Sequence, residues 1–113
     1  MHEMSLAEDM LQIIEDNARS GAYTRVKTVW LEIGQLAGVE EEAMKFCFDA
    51  VARHTLAEGA RLEIIATEGE GRCPDCHKTV KLAERYDPCP ECGGFPVEIT
   101  GGTEMRVKEL EVE

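Results

Sequence analysis

The sequence has no long apolar run, few aromatic residues and few basic ones. No apolar stretch approaches the ~20 residues that cross a bilayer, and no charged-then-apolar leader opens the chain. Aromatic residues make up 5% of the 113 positions, and 12 basic side chains stand against 23 acidic ones, for a net charge of −11. We therefore expect a soluble cytoplasmic protein that starts at Met1 and whose acidic surface disfavours nucleic acid and membrane as partners.

The N-terminal part of the chain predicts a helix followed by a strand. Ser5-Leu6-Ala7-Glu8 has the form of a capping box, which predicts that the helix begins at Ser5. Gly21 is placed to end it. Apolar residues recur at helical spacing on one face: Leu6, Met10, Ile13 and Ile14, with Asn17 in line. The segment 25–33 alternates as a strand does, with apolar residues on both faces.

A second helix is predicted from Glu40 to Thr55, because three glutamates crowd its first turn, where they favour the helix dipole. Its predicted apolar face consists of Ala43, Cys47, Ala50, Val51 and His54, widened by Phe46 and Phe48. Two more strands are predicted at 61–67 and 105–112. The alternation slips in the last strand, and a bulge near Lys108 and Glu109 would reconcile it.

These elements predict an α+β fold with two helices packed on a small three-stranded mixed sheet. An insert between the last two strands holds four of the five cysteines and all four prolines. We expect an α/β domain formed by residues 1–69 and 102–113, and a separate zinc-ribbon domain formed by residues 70–101.

The cysteines of the insert are spaced as metal ligands. Two residues separate Cys73 from Cys76 and Cys89 from Cys92, and twelve residues separate the pairs. Each short spacing lets one turn aim two thiolates at a single point, and two such turns complete the tetrahedron that zinc accepts in closed structural sites. With no export signal, metal ligation is favoured over disulfides. The pattern predicts a structural zinc ion. Iron in the same four sulfurs, or a pair of redox-active dithiols, remains an alternative.

Three other side chains were candidates for chemistry, and each has a simpler interpretation. His77 follows Cys76 and is expected to be an exposed turn residue rather than a fifth ligand. Cys47 is expected to be a buried, inert thiol. His54 is expected to be partly buried near the C-terminal dipole of the second helix.

The chain opens with Met1-His2-Glu3, which permits an unusual chelate. The terminal amine, the deprotonated amide nitrogen of His2 and its imidazole form two fused rings around one ion. The amide or the carboxylate of Glu3 can supply the fourth corner. Nitrogen donors in one plane suit Ni(II) or Cu(II) better than zinc.

With both ends described, the whole chain resembles the HypA/HybF family of hydrogenase nickel-incorporation proteins. The resemblance lies in Met1-His2-Glu3, in the segment 29–34 (Val-Trp-Leu-Glu-Ile-Gly), in the two cysteine pairs and in the acidic ending 109–113. It implies a metallochaperone with one structural zinc ion and a transiently bound Ni(II). It also implies two partners, a HypB-type GTPase and the precursor of the [NiFe]-hydrogenase large subunit.

Carried over residue by residue, the resemblance makes His2 the essential nickel ligand, with Met1 and Glu3 as further donors and Glu40 as a supporting carboxylate. The chain departs from some relatives in one respect. In those relatives a histidine follows both cysteine pairs, whereas here His77 follows Cys76 but Gly93 follows Cys92. A two-histidine pH switch is therefore not expected.

A competing function is a zinc-ribbon module that binds nucleic acid or protein. The balance of basic and acidic residues in the insert disfavours nucleic acid. No nucleophile–base pair, phosphate-binding loop or open catalytic metal motif suggests an enzyme. The chain is expected to be a monomer or a weak homodimer.

Overall fold

The computed structural model describes residues 2–113. It contains two helices and six strands in two small sheets. In chain order they are α1 His2–Gly21, β1 Val26–Gly34, α2 Glu41–Ala52, β2 Arg61–Thr67, β3 Gly69–Arg72, β4 Thr79–Leu82, β5 Glu98–Gly101 and β6 Met105–Val112. Among the described residues, no helix is both long and apolar enough to cross a membrane.

The first helix begins earlier than the capping box predicted. Helix α1 starts at His2, so Ser5 lies within it, exposed, and the predicted start at Ser5 is wrong. The carboxylate of Glu3 lies in the first turn of α1, where it favours the dipole. At the other end Gly21 is the last helical residue, and Ala22 takes the left-handed conformation that ends the helix (φ 56°).

The apolar face of α1 is narrower than predicted. Ala7, Met10 and Ile14 are buried, whereas Ile13 is 56% exposed. In α2 the buried residues are Met44, Cys47, Phe48 and Ala52, a spacing of one helix face. Phe46, predicted to widen that face, is 71% exposed. Helix α2 packs against α1.

The first sheet has the strand order β2-β1-β6 and is mixed. Strands β1 and β2 run parallel, since the N–H of Val26 at the start of β1 donates to Leu56 O and that of Gln35 after its end donates to Thr67 O. Strand β6 is antiparallel to β1, since the N–H of Glu113 donates to Arg25 O. The predicted α+β fold with a three-stranded mixed sheet is thus confirmed.

The chain divides into two compact units. The first holds the residues up to Leu31, Val39–Ile64 and Val107–Glu113, and the second holds Glu32–Gly38 and Ile65–Arg106. The second unit is larger than the cysteine-rich insert alone, because it also includes the end of β1 with the loop that follows and a few residues on either side of the insert. The predicted domain boundaries at 70 and 101 stay a prediction.

The second unit is built on a sheet with the order β4-β3-β5, in which both pairs are antiparallel. Gly71 lies in the central strand, where an added Cβ would come within 2.6 Å of Val97 Cγ1, so only glycine lets this contact form. The buried cluster of the unit comprises Leu36, Cys73, Val80, Leu82, Cys89 and Val97. Leu36 lies outside the insert, and no pattern in the sequence predicts that it completes this core.

Candidate metal centres

The two cysteine pairs form turns with the same hydrogen bonds. In the first turn the N–H of His77 donates to Cys73 O (2.8 Å), and that of Cys73 donates to Lys78 O (3.0 Å). In the second the N–H of Gly93 donates to Cys89 O (2.8 Å), and that of Cys89 donates to Gly94 O (2.8 Å). Equal spacing has therefore produced equal backbone geometry.

Each turn needs a left-handed residue directly after its second cysteine. Gly93 has φ 75° and His77 has φ 62°. Glycine adopts this conformation without a steric penalty, whereas histidine is among the residues that tolerate it at some cost. His77 is exposed, as predicted for a turn residue.

The four thiols meet at one point. Their sulfur atoms all lie within 4.8 Å of one another, with Cys73 Sγ 3.5 Å from Cys92 Sγ and Cys76 Sγ 3.8 Å from Cys89 Sγ. A tetrahedral zinc site with Zn–S bonds of about 2.3 Å has S–S edges of about 3.8 Å. A disulfide would need about 2.05 Å. The arrangement therefore fits a tetrahedrally bound metal ion and not a pair of disulfides.

The turns also supply donors to the thiolates. Burial acts to raise the pKa of Cys89, but the N–H groups of Cys92 and Glu91, together with the neighbouring Cys76 and Cys92 thiols, lower this pKa to about 7. For Cys92 the N–H of Gly94 acts to lower the pKa, but the neighbouring Cys73 thiol and burial raise it to about 12. The thiolate of Cys89 is thus stabilised. Ionisation of the other thiols, which lie close to it, requires a nearby cation. A divalent metal ion held by the four cysteines would supply that charge, and the four sulfur donors fit such an ion.

The N-terminal candidates lie at the start of α1. The side chain of His2 is 58% exposed and that of Glu3 is 16% exposed, with His2 Nδ1 3.8 Å from Glu3 Oε2. Glu3 Oε2 also accepts a hydrogen bond from the backbone N–H of Glu40 (3.3 Å). The N–H groups of Glu3 itself and of Glu40 lower the pKa of the Glu3 carboxyl. Met1, the other predicted nickel donor, lies outside the described residues.

Glu40 acts as the N-cap of α2. Its Oε1 accepts from the N–H of Glu42 (3.2 Å) and its Oε2 accepts from that of Ala43 (2.7 Å). The predicted start of α2 at Glu40 thus becomes a cap followed by a helix from Glu41. Both carboxylate oxygens are engaged by the helix, and support of nickel by Glu40 stays a prediction. The contact between Glu3 and the backbone of Glu40 had no signal in the sequence.

Of the two remaining candidates, Cys47 lies where it was predicted and His54 does not. Cys47 is fully buried in α2, as predicted. His54 is not partly buried near the helix end as predicted, but exposed, because α2 ends at Ala52 and His54 turns away with φ 64°. Its N–H donates to the carboxylate of Glu58 (2.9 Å).

Fold and sulfur geometry together define a small α+β protein with a four-cysteine centre compatible with zinc. A family profile described as "Hydrogenase/urease nickel incorporation, metallochaperone, hypA" matches residues 1–112. Proteins named "Hydrogenase maturation factor HypA" from Albidiferax ferrireducens and Dechloromonas aromatica are 63% and 58% identical over 113 residues, and the alignments cover 100% of both chains. The solution structure of the Ni metallochaperone HypA from Helicobacter pylori matches with a TM-score of 0.70 and 27% identity, over 97% of this chain and 96% of that one.

The chain belongs to the HypA family of metallochaperones for hydrogenase nickel incorporation. The predicted resemblance is confirmed. Membership of this family implies interaction with the hydrogenase maturation machinery.

Proposed function

We propose that this protein binds Ni(II) at its N-terminus and delivers it in the cytoplasm for maturation of [NiFe]-hydrogenase. His2 is the essential ligand, and Met1 and Glu3 complete the donor set. A HypB-type GTPase and the hydrogenase large-subunit precursor are the partners in delivery. Cys73, Cys76, Cys89 and Cys92 hold a structural zinc ion. The protein carries metal and is not an enzyme.

The exposure of His2 at the first position of α1 is the observation that carries the nickel assignment. The first N–H groups of a helix have no carbonyl partner inside the helix, so the N–H of His2 is not used by a backbone hydrogen bond of α1. An imidazole and backbone nitrogens on consecutive residues form fused rings that favour Ni(II). The family assignment supports nickel as the cargo.

An exposed chelate also suits transfer. A partner can displace one donor at a time, so nickel passes between proteins by ligand exchange without a free ion. The four-cysteine centre differs, because Cys73 and Cys89 are buried and all four positions around the metal are filled by the chain. Such a closed site holds its ion and stabilises the fold, with ~10–16 kcal/mol of apparent binding free energy typical for structural zinc.

His2→Ala tests the proposal, with calorimetric titration of Ni(II) into the zinc-loaded protein as the measurement. We expect the variant to lose nickel binding while its zinc content and circular dichroism stay unchanged. His54→Asn is the matched control, because His54 is also exposed and asparagine tolerates its positive φ. Nickel binding that survives in His2→Ala, or that falls equally in His54→Asn, would contradict the proposal.

A further inference from the structure

His2 and Glu3 lie in the first turn of α1 and are also two of the residues that the proposed function assigns to nickel. In an α-helix the peptide groups are aligned along the axis, so successive N–H bonds are nearly parallel. In a planar chelate, the nitrogens of consecutive residues must instead point at one ion. A helix that begins at His2 and a chelate formed by the nitrogens of residues 1–3 therefore exclude each other.

The chain contains a second helix start, three residues further on. Ser5-Leu6-Ala7-Glu8 is a capping box in sequence, although in the structure Ser5 lies inside α1. If residues 2–4 left the helix, Leu6 would become its first residue, Ser5 its N-cap and Glu8 its third residue. Ser5 and Glu8 are both exposed, so their side chains have room to take these positions.

We propose that Ser5 and Glu8 are positioning residues for nickel binding: they cap a shortened α1 when residues 1–3 form the chelate. The proposal rests on nickel binding at the N-terminus. Shortening gives up the helical hydrogen bonds from the N–H groups of residues 6, 7 and 8 to the carbonyls of residues 2, 3 and 4. The capping box satisfies two donors in return. The shorter helix therefore lacks two backbone hydrogen bonds, those of the Leu6 and Ala7 N–H groups, a difference that nickel binding has to offset.

The Ser5→Ala variant tests this assignment. Alanine favours the interior of a helix and cannot cap, so it favours the helix that begins at His2. We expect about fivefold weaker Ni(II) binding, the size that follows from loss of a typical N-cap. Ser5→Asp retains a capping oxygen and should bind nickel as the unsubstituted protein does. Ser20→Ala, which changes an exposed serine at the other end of the same helix, is the control and should have no effect.

Hydrogen exchange provides the second readout. The amides of Leu6 and Ala7 should exchange slowly before nickel is added and faster once Ni(II) saturates the protein, while those of the buried turn around Met10 stay protected. Equal nickel affinity of Ser5→Ala and Ser5→Asp, or exchange at Leu6 that nickel does not change, would overturn the capping role alone. If the unsubstituted protein takes up no nickel, or if His2→Ala binds it equally well, the proposed function and the capping role both fail.

Discussion

Replacing Leu36 with alanine tests whether a residue outside the cysteine-rich insert completes its core. Leu36 is 2% exposed in the cluster that contains Cys73 and Cys89. The lost side chain should cost about 2–5 kcal/mol of unfolding free energy, the range for buried Leu→Ala substitutions. Gly69 lies against Leu36, with an added Cβ only 2.6 Å from Leu36 Cγ. Because Gly69 has no side chain to fill the space, we expect the upper half of this range.

The backbone contacts of Leu36 should survive the substitution. Its N–H donates to Gly102 O (2.7 Å) and its carbonyl accepts from Arg85 Nε (2.9 Å), neither of which involves the side chain. The loss should therefore appear as a lower midpoint in urea and as faster zinc transfer to a competing chelator. Ile13→Ala, at a position that is 56% exposed, is the control and should cost less than about 0.5 kcal/mol. Equal effects of the two substitutions would refute the reasoning.

Three further predictions concern the helices. Ala22→Gly should raise the unfolding free energy by about 0.5–1 kcal/mol in urea denaturation, because φ 56° suits glycine; a loss of stability would contradict this. Glu40→Ala should cost about 1 kcal/mol through the lost cap of α2, and Glu40→Asp should cost little, since aspartate caps well; equal losses would refute the capping role. The pKa of Glu3 is lowered from 4.5, so its contribution to stability is present above that pH and is lost as the pH falls through the folded value. As the pH is lowered, the unfolding midpoint of Glu3→Gln should therefore fall less steeply than that of the unsubstituted protein. Parallel pH profiles of the two proteins would contradict this.

The features predicted correctly from the sequence depend on local chemistry. Two residues between cysteines force a tight turn whatever surrounds it, so the spacing alone predicted that Cys73, Cys76, Cys89 and Cys92 meet. The alternation of β1 reflects two faces that are both largely covered, and it located the strand to within one residue at each end. Such signals need no knowledge of distant parts of the chain.

The features that were missed depend on distant contacts or on small differences in free energy. Periodicity gives the direction of a helix face but not its width, so Ile13 and Phe46 were assigned to the core although both are exposed. Leu36 is an isolated apolar residue in a loop, and only the folded second unit shows what buries it. Ser5 carries a strong capping signal, yet three more residues join α1, because the longer helix keeps the backbone hydrogen bonds of the Leu6 and Ala7 N–H groups that a start at Ser5 would lack.

X-ray absorption at the nickel and zinc edges of one sample tests the central claim most directly. The sample is the protein with its native Met1, loaded with both metals. We predict a nickel shell of nitrogen and oxygen donors that includes imidazole, and a zinc shell of four sulfurs at about 2.3 Å. Sulfur around nickel, or fewer than four sulfurs around zinc, would contradict the assignment of one ion to the N-terminus and the other to the cysteines.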